Sequence, residues 1–128
     1  MLKNSSFLYL ILAILLFHAC AASPEERLKN IAEETLKACP LMIDEYTVMQ
    51  KAEALPGRTL KFTYGLKGTF GESIKQEMNN AMKPVLIEKL KHQPEQEFYQ
   101  ENDVRFEHLF LDDQGRTVMH IIIEPADY

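Results

Sequence analysis

Cysteine is scarce in this 128-residue chain: Cys20 and Cys39 are the two it has, too few for the disulfide framework of a very small secreted domain. Positive charge is also short. Fourteen Lys and Arg face nineteen Asp and Glu, a formal net charge of −5, a balance that argues against a nucleic-acid binder, which neutralises phosphates with a basic face. Gly65, Gly68 and Gly71 punctuate a loop but form neither a dinucleotide fingerprint nor a phosphate-binding Gly-Lys-Ser/Thr run. Past the N-terminal segment the serines are Ser23 and Ser73. Ser23 reads as a helix cap, and Ser73 lies at a helix start without a nucleophile elbow. With 46% hydrophobic and 26% charged residues, the composition excludes a disordered or low-complexity chain and suits one core.

The first residues behave differently from the rest. Lys3 is the one charged side chain before Glu25, and Phe7 to Phe17 is an unbroken apolar run of eleven. Small residues at Ala19, Ala21 and Ala22 follow it. A basic start, a run of this length and an A-x-A site predict a cleaved secretory signal over residues 1–21. Spanning a bilayer takes about twenty apolar residues, so a retained anchor is the weaker reading. Cys20 offers a second processing route, as the lipidated first residue of a bacterial lipoprotein. Ala19 conforms to that pattern, but Phe17 and His18 do not, so soluble release is the preferred expectation. Residues 22–128 are then the folded domain, with thirteen basic against nineteen acidic residues and a net charge of −6.

Within that domain, Ser23-Pro24-Glu25-Glu26 starts a helix whose apolar face is Leu28, Ile31, Ala32, Thr35, Leu36 and Cys39, with Pro40 as its stop. The period then changes to two. Tyr46, Val48, Ala52 and Ala54 share one side of a strand, and Leu60, Phe62, Tyr64 and Leu66 one side of the next. Leu55-Pro56-Gly57-Arg58 turns between them. A second helix from Glu72 to Lys91 turns Ile74, Met78, Ala81, Met82, Val85, Leu86 and Leu90 toward the core, with a kink or break expected at Pro84. After a polar connector over His92–Asp103, Val104–Leu111 and Arg116–Glu124 make a second hairpin. The predicted fold is α+β, a two-layer αββαββ sandwich with a mostly antiparallel four-stranded sheet and two helices on one face.

Few constellations suggest chemistry. A three-residue loop at Asp113-Gln114-Gly115 sets residue 112 opposite 116, and that register places His108 across from His120. Two imidazoles lack the third ligand of a catalytic zinc site, so the pair is a weak metal candidate and no cofactor is assigned. Asp112-Asp113 is explained by turn chemistry, and the acidic connector by solvation. Catalysis is disfavoured. Alternation sends Tyr46, Phe62 and Tyr64 to the core and leaves Phe98 and Tyr99 as the exposed aromatic pair for a partner. Cys39, with no C-x-x-C companion, reads as an inert thiol.

The stretches Cys39–Thr47 and Leu55–Tyr64, with Asp112–Arg116 and Pro125–Tyr128, resemble a family of small exported bacterial proteins of uncharacterised function. The resemblance implies export and a small α+β domain, and carries no catalytic residues. The functional expectation is a non-catalytic binding or accessory protein of the cell envelope, periplasmic or secreted, with a protein partner and no nucleic acid. Membrane attachment would come through Cys20 if that residue were lipidated. Two other classes fit less well: an inhibitor or immunity-type protein against a basic toxin or hydrolase, suited by the acidic charge, and a small metal-dependent enzyme.

Overall fold

A computed structural model of the chain describes residues 22–128. The expected export segment and Cys20 therefore lie outside the described residues. Helix α1 is Pro24–Ala38, started as its sequence demands: the Ser23 hydroxyl accepts the Glu26 N–H at 3.2 Å, Pro24 occupies the first turn, and Glu25 and Glu26 face the positive end of the helix dipole. Strands β1 (Leu41–Met42), β2 (Thr47–Leu55) and β3 (Thr59–Leu66) follow. Helix α2 is Glu72–Lys91, short helix α3 is Gln96–Glu101, and β4 (Arg105–Leu111) and β5 (Thr117–Ile123) complete the sheet. Pro125–Asp127 form a single 3-10 turn.

The five strands lie in the order β1-β2-β3-β4-β5. All neighbours are antiparallel except β3 and β4, which run parallel because α2 and α3 carry the chain back across the sheet. The α+β class and the mostly antiparallel sheet match the expectation, while the strand and helix counts differ. Strand β1 is two residues long, too short for any periodicity to announce it. Helix α3 lies in the polar connector, where Gln96, Glu97 and Gln100 gave no apolar period to read. Helix α2 passes through Pro84 as one continuous element rather than two pieces.

Helix α1 packs on β2 and β3, and α2 on β5. Both feed one core, with Leu28 and Ala32 from α1, Leu90 from α2, and Leu60, Phe106, Met119, Ile121 and Ile123 from the sheet. The β2–β3 hairpin closes through the Leu55–Thr59 pair, with Gly57 and Arg58 at φ of 78° and 54°. Two bulges alter the faces that plain alternation gives. The first, at Gln50, puts Met49 opposite Tyr64 on the helix face while Val48 pairs with Gly65 on the other. Tyr46 was expected in the core, but it precedes β2 and is 61% exposed.

The second bulge lies in β5. The Asp112 N–H bonds the Arg116 carbonyl at 2.9 Å and Leu111 pairs with Thr117, the register predicted for the loop. The next pair is Phe110 with Met119, so Val118 is the extra residue. The slip brings His108 opposite Ile121 and His120 opposite Leu109.

Candidate functional site

Phe62 and Tyr64 of β3 and His108 and Phe110 of β4 alternate onto the helix-covered face. Parallel pairing sets Phe62 beside His108 and Tyr64 beside Phe110. Their rings form a ladder: Phe62 and His108 have centroids 5.4 Å apart, His108 and Tyr64 5.8 Å, and Tyr64 and Phe110 4.4 Å. The ladder floors a cleft of about 250 Å³. Met82, Leu86 and Leu90 of α2 form one wall, and Ile43 of the β1–β2 loop and Thr47 at the start of β2 stand on the other side. The apolar lining continues toward Tyr46, Leu66, Phe70 and Met78.

The apolar face of α2 is only partly used. Among its expected core positions Leu90 is buried, Met78, Met82 and Leu86 are half-buried, and Ile74 and Val85 are exposed. The helix borders the cleft instead of lying flat over β4. Ile43 and Tyr46 are exposed at the mouth, and Leu41 and Met42 of β1, which precede them in the chain, are exposed too, Met42 at 68%. Exposed apolar side chains beside an apolar cleft mark a binding face more often than a random surface does.

Two polar groups set the chemistry of the floor. The Tyr64 hydroxyl lies 2.9 Å from His108 Nδ1. Nδ1 is the one acceptor within reach of the phenol among the described residues, so we assign the phenol as donor, and with it the His108 proton to Nε2. No fully buried side-chain nitrogen or oxygen lacks a partner, and Nε2 makes no hydrogen bond among the described residues; its N–H is therefore the one that meets the cleft. Burial pushes the imidazole down to about 4, and burial likewise raises the Tyr64 phenol well above its ordinary value. At the mouth, Asp44 accepts the Tyr46 N–H at 2.8 Å, which holds its carboxyl below the usual range, and the Lys89 charge acts in the same direction. One charge of each sign thus guards the opening.

The residues singled out from sequence do not meet here. His108 is in the cleft floor, but His120 is exposed on the opposite face of the sheet, beside Glu107 at 3.4 Å. The expected face-to-face histidine pair is replaced by His108–Ile121, because the Val118 bulge displaces the register by one residue. Tyr99, expected exposed, is 3% exposed and packs edge-on against Phe106. Phe98 is half-buried beneath the Arg27 guanidinium, 4.0 Å from its centroid. Helix α3 turns both rings inward, which a connector read as loop does not convey. Cys39 is half-buried, with Sγ 3.4 Å from the Thr35 carbonyl. No group of three or more His, Cys, Asp or Glu side chains is arranged for a metal among the described residues.

The ladder is not visible in the sequence of either strand alone. Aromatics alternate visibly in both strands, but they become one floor only when β3 and β4 are known to be neighbours.

Comparisons with known proteins find the same fold elsewhere. The chain belongs to the family described as Domain of unknown function (DUF8479), whose model matches residues 23–120. A protein of Pseudomonas aeruginosa predicted to be secreted has a similar structure, with a TM-score of 0.67 at 14% identity over 84% of this chain and 98% of that one. The type II secretion system pilotin AspS from Vibrio cholerae is similar at a TM-score of 0.59 and 11% identity, over 82% of this chain and 92% of that one. The pilotin EpsS from the Vibrio vulnificus type 2 secretion system gives 0.62 and 7%, over 81% and 90%. These likenesses establish a common fold. No curated protein sequence matches the chain.

Proposed function

We propose that the protein is an exported, non-catalytic accessory protein of the bacterial envelope that works by holding a protein partner in the cleft between α2 and the β1–β2 loop. The observation that carries this reading is the cleft itself: an aromatic floor and apolar walls continuous with an exposed apolar rim. Well-packed anchors from a partner fill such concave surfaces. Its fold is shared with two pilotins and a protein predicted to be secreted, which supports an envelope role. The apolar run at Phe7–Phe17 followed by Ala19-Cys20-Ala21 supports export by signal cleavage, with the mature domain beginning at Ala22. The inhibitor reading draws on net charge, and the balanced Asp44 and Lys89 at the mouth give it no help.

Cell fractionation with intact-mass measurement tests this reading. A mass beginning at Ala22 in the periplasmic or extracellular fraction is expected. A diacylglycerol-modified Cys20 would replace soluble release by a lipid anchor, and full-length cytosolic protein would overturn the reading.

A further inference from the structure

The cleft floor contains a hydrogen-bond donor that the fold itself does not use. His108 is 8% exposed, its Nδ1 is committed to Tyr64, and its Nε2–H opens into an apolar space. Resting on the reading of the cleft as a partner site, we propose that it receives a tyrosine side chain of the partner, whose phenol oxygen accepts from His108 Nε2.

Size, shape and polarity converge on that residue. A cavity of about 150 Å³ holds a benzene ring, so the cleft's volume of about 250 Å³ takes one aromatic ring with its linking carbon. Phe62, Tyr64 and Phe110 offer ring faces and edges for it. The mouth, with Asp44 on one side and Lys89 on the other, favours neither an anion nor a cation. The floor distinguishes the aromatic side chains by hydrogen bonding. Tryptophan has a single polar atom, and that atom is a donor, so its N–H would face the His108 N–H. Phenylalanine leaves the buried donor without a partner. Tyrosine carries an acceptor at the far end of an apolar body. The imidazole stays neutral at ordinary pH, so an uncharged acceptor suffices.

The Tyr64–His108 bond gives the site its polarity. By holding the ring in the Nε2–H tautomer, Tyr64 acts as a positioning residue for recognition.

Titration of the folded protein with N-acetyl-tyrosinamide, N-acetyl-phenylalaninamide and N-acetyl-tryptophanamide tests the proposal, followed by ¹⁵N resonances of the His108 ring. The chain contains no tryptophan, so binding of the indole compound is also read from its own fluorescence. The tyrosine amide should bind saturably and move the His108 Nε2 resonance. The phenylalanine amide should bind roughly fivefold to tenfold more weakly, the ratio one net hydrogen bond provides. His108→Phe keeps a ring in the ladder and should abolish the preference. Tyr64→Phe releases the tautomer and should narrow the tyrosine-over-tryptophan ratio, a signature that simple loss of packing does not produce. Equal affinities for the tyrosine and phenylalanine amides would overturn the proposal. So would failure of the tyrosine amide to bind when a partner still cross-links through the cleft, a result that leaves the accessory reading standing.

Discussion

Tyr64 reaches diagonally from β3 to β4 and hydrogen-bonds His108 Nδ1 through its phenol oxygen at 2.9 Å. Both side chains are buried. Tyr64→Phe leaves the imidazole nitrogen without its donor, and should lower stability by about 1–3 kcal/mol. Urea denaturation measures the loss. The double variant Tyr64→Phe/His108→Phe should cost less than the two single losses added together, because each single change strands a polar group that the double removes.

His108 also makes stability depend on pH. Burial lowers its pKa from 6.5 to about 4 in the folded protein. Between those values the unfolded chain binds more protons than the native one, so stability rises with pH. The contribution is complete above pH 6.5 and drains away as the pH falls toward 4. The total is about 3 kcal/mol, at 1.36 kcal/mol per pKa unit. Unfolding midpoints collected from pH 7.5 to 4.5 should fall, and should fall less in His108→Phe. A parallel pH slope in that variant would assign the effect to other groups.

Asp112 is the organising residue of the β4–β5 turn. Its side chain has no solvent exposure and accepts the N–H groups of Gln114 and Arg116 and the Arg116 Nε, each at 2.9 Å. Asp112→Ala strands those donors and should lower the unfolding midpoint. Asp112→Asn keeps acceptor capacity and should lower it less.

Tyr128 ties the 3-10 turn to the core, its hydroxyl donating to the Val104 carbonyl at 2.6 Å with the Tyr99 carbonyl 3.1 Å away. Tyr128→Phe keeps the edge-on contact with Phe106 and removes the hydroxyl. A loss of about 1 kcal/mol in urea denaturation is expected.

What was legible in the sequence divides along the range of the interactions involved. Ser23 and Pro24 announced the start of α1 because capping is decided within four residues. Leu55–Arg58 announced a hairpin because Pro56 and Gly57 satisfy local backbone requirements. The Asp112–Arg116 loop was equally local, and its register was read correctly. The histidine pair failed one step later, since nothing in Thr117-Val118-Met119 distinguishes a bulged strand from a regular one. Val48 left the expected face for a similar reason, with a bulge at Gln50 interrupting the alternation, while Tyr46 lies before β2 begins.

The cleft was illegible for a different reason. Phe62, Tyr64, His108 and Phe110 come from strands separated by α2 and α3, and become neighbours through the parallel β3–β4 pairing. Helix α2 also carries more apolar residues than the core absorbs. Ile74 and Val85 satisfy the helical period yet remain exposed, a surplus that appears only when the helix is set against the sheet.

The most direct test of the binding role is photo-cross-linking in intact cells, with a benzoylphenylalanine placed at position 86 in the cleft wall or at position 61 on the opposite face of the sheet. A discrete cross-link to an envelope protein from position 86, missing from position 61, is the expected result. No cross-link from position 86, or the same products from both positions, would contradict a partner held in the cleft.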